Sequence, residues 1–388
     1  MFNITTFNKI SNEGLKHFDK DSYSLTPDDI SNADGVVLRS YKMHDTVLPD
    51  TLKAIARAGA GTNNVPVEKC SEKGIVVFNA PGANANGVKE MTLLALLASS
   101  RKVNDGIKWV NNLDGDVEKQ VEKGKSQFAG PEIMGKTLGV VGLGAIGVLV
   151  ANMGIKLGMK VIGYDPYISV QKAIGLSWDV KYSSSLDELF GQADYVSLHI
   201  PLVDKTKGFM DEENISKMKK GARLINMSRG GLVNDAAILK AIDEGRVSSF
   251  VTDFPTDDLI NKNGVVCIPH LGASTPESEE NCARMVVNQL IDYLENGNIT
   301  NSVNFPNCSL ERTEGTHRIV VLNKNVPNMI GSLTAVFSKY NANIIEMVNK
   351  SKGDYAYNII DIAGTEVNEE KIEELKSIDG IIKVRLVD

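Results

Sequence analysis

Three short segments carry the polar residues best suited to chemistry. Asn226-Met227-Ser228-Arg229-Gly230-Gly231 brings a guanidinium, Asp253-Phe254-Pro255-Thr256-Asp257-Asp258 brings carboxylates, and Pro269-His270-Leu271-Gly272-Ala273-Ser274-Thr275 brings an imidazole. An Arg, a carboxylate and a His are what hydride removal from a hydroxy acid needs. The His takes the hydroxyl proton as general base. A carboxylate on the far ring nitrogen fixes the tautomer and favours the imidazolium. The Arg pairs with a substrate carboxylate and polarises the reacting oxygen.

Such chemistry requires a hydride acceptor, and the chain offers a place for one. Gly142-Leu143-Gly144-Ala145-Ile146-Gly147 is a G-x-G-x-x-G. With this glycine content, chance alone supplies about a quarter of a match per chain, so the context must decide. Val140 and Val141 end a strand pattern and a helix pattern opens at Ala145. The glycines then allow a tight turn, close approach of backbone to a pyrophosphate, and helix-on-strand packing, with the helix N-terminus facing the phosphates. Eighteen residues past Gly147, Asp165 ends the strand VIGYD. A carboxylate there accepts from ribose hydroxyls and repels a 2′-phosphate. Pro166 and Tyr167 bring no cation, so NAD is expected over NADP.

These residues sit at the ends of strand patterns. FNITTFN, DGVVLRS, LKAIARAG and GIVVFN alternate with polar or helical stretches, as in a parallel α/β sheet. A second series, TLGVVGLG, KVIGYD, YVSLHIP, ARLINMS and SSFVTDF, has the rhythm of a doubly wound nucleotide fold. Residues 86–103 read as a helix with Met91, Leu93, Leu94, Leu97 and Ala98 as apolar positions, buried between domains. Residues 138–155 carry no charge over eighteen positions, but five glycines and Asn152 argue for strand, turn and buried helix, not a membrane span. Residues 307–316 are polar, as a linker should be, and from His317 the order reads strand, helix, strand, strand, helix, strand.

At the three chemical segments the chain resembles the D-isomer-specific 2-hydroxyacid dehydrogenase family. The most specific strings are GLGAIG, NMSRGG, IPHLGAST, RAGAGTNNV and FNAPGANANGVKE, and the likeness covers nearly the whole chain. The resemblance implies NAD-dependent oxidation of a phosphorylated D-2-hydroxy acid, with 3-phosphoglycerate the expected substrate, in L-serine formation. It makes His270 the acid/base, Arg229 the substrate arginine and Asp257 the third member, where the family has Glu. Asp257 is one methylene shorter, and Asp258 is its possible substitute. The family's Asp two residues before the Phe-Pro pair is Thr252 here, and Asp253, one place nearer, takes the nicotinamide carboxamide contact. Gly142, Gly144, Ala145, Ile146, Gly147, Asp165, Ile200, Pro201, Met227, Ser228, Arg229, Asp253, His270, Gly272 and Ala273 are the cofactor residues implied. Arg39, Ser40 and Asn84 are the substrate contacts, Arg39 facing the phosphate as a guanidinium can.

The implied fold is a Rossmann-type nucleotide domain (98–275) inserted in a flavodoxin-like substrate domain (1–97 and 276–306), followed by the linker and a C-terminal βαββαβ module (317–388) resembling an ACT domain. Such modules bind small amino acids across a dimer interface, so L-serine is the expected effector, with Asn325 and Asn343 as the matching asparagines. Asn323 stands where the family has His, and Asn328 where it has Gly. A pure dimerisation module is the alternative, and a homodimer or homotetramer is expected either way.

Composition agrees. The chain is 42% hydrophobic and 23% charged, which is globular. A net charge of −7 argues against nucleic acid. Cys70, Cys267, Cys282 and Cys308 form no C-x-x-C pair and read as reduced thiols. No signal peptide is visible in MFNITTFNKI, so a cytoplasmic location is expected. His17, His44, His199 and His317 show no metal-ligand spacing, and no catalytic metal is expected. Two rivals stand beside this reading: a dehydrogenase of another 2-hydroxy acid such as glycerate or lactate, and an NAD-sensing corepressor-like binding protein.

Overall fold

The computed structural model describes residues 1–364 and 367–387. The chain divides into two compact units, Met1–Asn84 with the chain from Pro276 onward, and Ala85–Thr275. The first unit opens with five parallel strands: β1 (Phe2–Phe7), β2 (Tyr23–Pro27), β3 (Gly35–Leu38), β4 (Ala54–Arg57) and β5 (Val76–Phe78). Their order, β2-β1-β3-β4-β5, is the flavodoxin-like one. β3 and β5 are buried at each position, as uncharged, largely Val/Leu/Phe strands in a sheet covered on both faces should be. The returning helix Pro276–Asn296 covers one face, packing Val286, Val287, Leu290 and Tyr293 against Ile4, Val37, Ala56 and Phe78. Beyond it, buried Asn304 accepts from the Val77 N–H and donates to Ile75 O and Ser71 Oγ, tying the segment to the sheet edge.

The second unit holds seven parallel strands: β6 (Thr137–Val141), β7 (Lys160–Tyr164), β8 (Lys181–Tyr182), β9 (Tyr195–Leu198), β10 (Ala222–Asn226), β11 (Val247–Thr252) and β12 (Val265–Cys267). The order β12-β11-β10-β9-β6-β7-β8 is doubly wound, with its reversal between β6 and β9, where such sheets bind ligands. The uncharged run 138–155 is β6, a glycine turn and the helix Ala145–Lys156. Among the described residues no helix is long and apolar enough to cross a membrane. The short β8 and β12 carry too little pattern to be seen in the sequence.

The domain line expected at 97/98 falls inside one continuous helix, Ala85–Ser100. The whole helix goes with the second unit, because Val88, Ala95 and Leu96 share a core with Leu138, Val140 and Ala151. The buried face uses these smaller residues, whereas Leu94 and Leu97, read as core positions, are about half exposed. The following helices Val103–Asn111 and Val117–Gly124 bury no residue at all.

The C-terminal part belongs to the first unit. β13 (His317–Lys324), β14 (Asn343–Lys352), β15 (Tyr355–Ala363) and β16 (Ile381–Val387) form an antiparallel sheet in the order β14-β15-β13-β16. Helices Met329–Lys339 and Glu369–Lys376 complete a βαββαβ element order. One sheet face packs Ile319, Val321 and Ile360 against Leu333, Phe337 and Leu375 of the helices. The other adds Val320, Leu322, Tyr357 and Ile359 to the core around Tyr293. Arg318 and Asp361, both fully buried, pair in a bidentate fork at 2.7 and 2.8 Å. The same guanidinium donates to Asn296 O, Leu310 O and Glu311 O. The expected linker is therefore pinned: Cys308 is buried and bridges Ile299, and Leu310 N–H is held by Asn298. All four cysteines are free.

Candidate functional site

The glycine turn follows β6, and each glycine answers a different need. Gly142 has φ +92, and a Cβ there would lie 2.6 Å from His199 O. A Cβ on Gly147 would meet Gly142 O at 1.9 Å, so only glycine lets the helix sit this close to the turn. Gly144 has nothing within 4 Å of its Cβ position. It starts the helix Ala145–Lys156 with no side-chain cap, so the first-turn N–H groups of Ala145, Ile146 and Gly147 are left for an anion. Asp165, just past β7, accepts from Leu143 N–H and Tyr167 N–H, one on each oxygen, at 2.8 Å. Each oxygen keeps a lone pair for a hydroxyl donor. An open turn, an uncapped helix start and an acceptor carboxylate fit a dinucleotide.

The loops after β9 and β10 join the cradle. Ser228 Oγ donates to Ile200 O at 2.8 Å, and Thr206 Oγ1 donates to Pro201 O at 2.6 Å. Buried Asn226 shapes the next turn, accepting from Ser228 N–H and donating to Arg229 O. This holds Arg229 at the surface, its guanidinium folded back on Ser228 O at 2.7 Å. Met227 points inward and is buried. Gly272 is buried where a Cβ would press Val88 at 2.9 Å, and Ala273 is half-buried.

His270 follows β12 and packs its ring edge-on against Phe254, centroids 4.8 Å apart. His270, Asp253, Asn226 and Gly230 line one cavity of about 700 Å³. Asp253 is only 3% exposed, and its Oδ1 is buried without a hydrogen-bond partner. Burial pushes this carboxyl above the usual carboxylate range, while His270 and Arg229 pull it back down. Thr252, at the family's Asp position, is buried and accepts from Phe254 N–H. Asp257 and Asp258, the expected His270 partners, are exposed and make no hydrogen bond or ion pair among the described residues. The cause is local: Leu259 turns into the core and bonds back to Thr256 O, which sends the two residues before it outward.

In the first unit Arg39 follows β3 and pairs with Glu279 at 2.5 Å. Asn8, at φ +65, accepts from Ser40 N–H and Tyr41 N–H, and Asn64 donates to Arg39 O and Tyr41 O, so both asparagines fix the turn. Asn84, half-buried, is the last residue before the helix Ala85–Ser100. Arg57, at the end of β4, went unnoticed as one polar letter in a strand pattern. Its Nε is buried without a partner, and burial, then Arg39, lowers its pKa. Its guanidinium lies where a Cβ on Gly59 would be, 1.8 Å from Nη1. The signal in the sequence was the glycine two residues on.

The three C-terminal asparagines do not converge. Asn323 is buried, donating to Lys324 O and accepting from Asn358. Asn325 donates to Gly353 O. Asn343 pairs with Ala363, whereas Lys324 pairs with Tyr355, so Asn325 and Asn343 stand at opposite ends of the sheet, roughly 27 Å or more apart at about 3.4 Å per residue. His199, for which the sequence suggested no role, is buried; Nε2 lies 2.9 Å from Ser197 Oγ, Nδ1 has no partner, and burial pushes its pKa down to about 4. Among the described residues no group of three or more His, Cys, Asp or Glu could hold a metal.

Comparison with known proteins places this geometry. Residues 93–272 match the family described as D-isomer specific 2-hydroxyacid dehydrogenase, NAD binding domain. A D-3-phosphoglycerate dehydrogenase of Haemophilus influenzae is 33% identical over 338 residues, 84% of this chain and 79% of the relative. One from Methanocaldococcus jannaschii is 35% identical over 310 residues, 78% of this chain and 57% of the relative; the chain spans little more than half the length of that protein. Among solved structures, the NAD+-bound 3-phosphoglycerate dehydrogenase of Entamoeba histolytica is similar with a TM-score of 0.59 and 25% identity, covering 78% of this chain and 98% of that one.

Proposed function

The chain belongs to the D-isomer-specific 2-hydroxyacid dehydrogenase family, and we propose that it oxidises D-3-phosphoglycerate to 3-phosphohydroxypyruvate with NAD, opening a route to L-serine. One observation carries this reading. The parallel strands β6, β7, β10, β11 and β12 deliver the glycine cradle, Asp165, Arg229, Asp253 and His270 to the same edge of one sheet.

Gly142, Gly144 and Gly147 with the helix start hold the pyrophosphate of NAD, and Asp165 holds the adenine ribose. When bound, the cofactor supplies the hydride acceptor. His270 removes the proton from the 2-hydroxyl, and Arg229 pairs with the carboxylate and stabilises the oxygen that becomes the carbonyl. Arg39, with Arg57 on the adjacent strand, is assigned the phosphate, for which guanidinium geometry is suited. Turnover with NAD, measured for 3-phosphoglycerate, D-glycerate and D-lactate, tests the substrate. The expected result is the highest kcat/KM with the phosphorylated acid. Preference for an unphosphorylated acid would reassign the substrate, and NAD binding without turnover of any of them would favour a sensing protein.

The C-terminal βαββαβ part is read as an ACT-like regulatory module. Because Asn325 and Asn343 lie at opposite sheet ends, an L-serine site that uses both needs two chains. The exposed Leu94, Leu97, Val103, Ile107, Val110 and Val117 support a homodimer or a larger homo-oligomer through the second unit. The net charge of −7 speaks against nucleic acid, and a cytoplasmic setting suits free thiols.

A further inference from the structure

Asp253 and Asp257 lie four residues apart, and the fold treats them differently. Asp257 is exposed and makes no hydrogen bond or ion pair with a described residue. Asp253 directly follows the last residue of β11 and is 3% exposed. Its Oδ1 has no hydrogen-bond partner. A carboxylate so placed stays ionised only if a cation or a strong donor faces it. Its chain neighbour Phe254 carries the imidazole of His270 edge-on, and Asp253 and His270 line the same cavity. Thr252, whose hydroxyl oxygen accepts from Phe254 N–H, carries no charge with which to pair an imidazolium.

We propose that Asp253, not Asp257, is the carboxylate that positions His270 and stabilises its imidazolium. The inference rests on the dehydrogenase reading above. Substrate oxidation moves one proton from the 2-hydroxyl to the free imidazole nitrogen, so a neutral ring becomes a cation beside a buried anion. Asp253 is then a positioning residue, acting through the ring. Charge compensation explains why a buried carboxylate is tolerated here: it is paired when the proton arrives. The shift of the carboxylate from the turn to the strand end also explains how a chain with the shorter Asp257 keeps an acid–base set.

The test compares Asp253→Asn and Asp257→Asn in the full chain, by pH profiles of kcat/KM for 3-phosphoglycerate and by NADH binding through fluorescence. Asp253→Asn is expected to lower kcat about a hundredfold and to move the acid limb to lower pH by about one unit, with NADH affinity within about threefold of wild type. Asp253→Glu should restore part of the rate and the limb. Asp257→Asn should change kcat less than about threefold and leave the limb in place. Loss of rate with a moved limb in Asp257→Asn overturns the proposal, even if Asp253→Asn does not fold. So does an Asp253→Asn enzyme with an unmoved limb and NADH binding weakened more than about tenfold, which would make Asp253 a cofactor contact. If wild type does not turn over 3-phosphoglycerate, the substrate reading has failed instead. The His270 ring titration, followed by NMR in the same variants, then decides the pairing: it moves down in Asp253→Asn if the proposal holds, and moves only in Asp257→Asn if it does not.

Discussion

Replacing Arg318 by Met should loosen the C-terminal sheet without touching the nucleotide cradle. The guanidinium makes five hydrogen bonds: two to Asp361 and one each to Asn296 O, Leu310 O and Glu311 O. Arg318→Met strands a fully buried carboxylate, which costs about 3–5 kcal/mol. The three carbonyls lose a charged donor, adding roughly 1 kcal/mol each, since they are only partly buried. A loss above about 5 kcal/mol rivals the whole stability of an ordinary domain. At about 2–4 °C per kcal/mol for a unit of this size, the melting transition should fall by at least about 10 °C. The double variant Arg318→Met/Asp361→Leu removes the stranded charge but not the carbonyl deficit, so it should recover only part of the drop. Scanning calorimetry of the three proteins, with NADH binding as a check on the other unit, reads this out. NADH affinity should stay at the wild-type value. A single variant melting within about 2 °C of wild type would refute the reasoning.

Other consequences are as direct. Asp165→Ala should weaken NAD binding and narrow the gap in kcat/KM between NAD and NADP, because the carboxylate proposed to hold the ribose also ties Leu143 N–H to Tyr167 N–H; an unchanged ratio would remove it from the cofactor contacts. Arg39→Ala should raise KM for 3-phosphoglycerate far more than for D-glycerate, and equal losses would make it a structural residue or a carboxylate ligand. His199 is held neutral by burial, so the unfolded chain binds its proton first; stability is full above about pH 6.5 and is lost as pH falls through about 4, an effect on the order of 3 kcal/mol. Melting curves of His199→Gln over that window should be flatter than those of wild type. Asn325→Ala should relieve any inhibition by L-serine without lowering the uninhibited rate, and calorimetric titration with serine would show whether binding occurs at all.

What the sequence revealed depended on local rules. Gly142 and Gly147 were legible because a turn of that shape excludes any side chain, and the strand patterns of β6, β7, β9, β10 and β11 because each holds a short apolar stretch bounded by polar or turn residues. Leu94 and Leu97 were misread because period alone does not say which face of a helix meets a core. Asp257 was expected beside His270 by correspondence of position, but Leu259 rather than the carboxylate decides how that turn is oriented. Arg57, and the burial of Asp253, were obscured for the same reason: burial of one polar atom is a property of neighbours far away in the chain. The separation of Asn325 from Asn343 follows from antiparallel pairing, which needs the register and not just the order of strands.

The central claim is the oxidation itself. Purified protein should be incubated with D-3-phosphoglycerate and NAD in the presence of hydrazine, which traps the keto acid, while NADH absorbance is followed and the trapped product is identified by mass spectrometry. Equal amounts of NADH and trapped 3-phosphohydroxypyruvate are expected from wild type, falling about 10²–10⁴-fold in rate for His270→Ala while NADH still binds. No NADH from wild type, or a His270→Ala rate within about tenfold of it, would contradict the assignment.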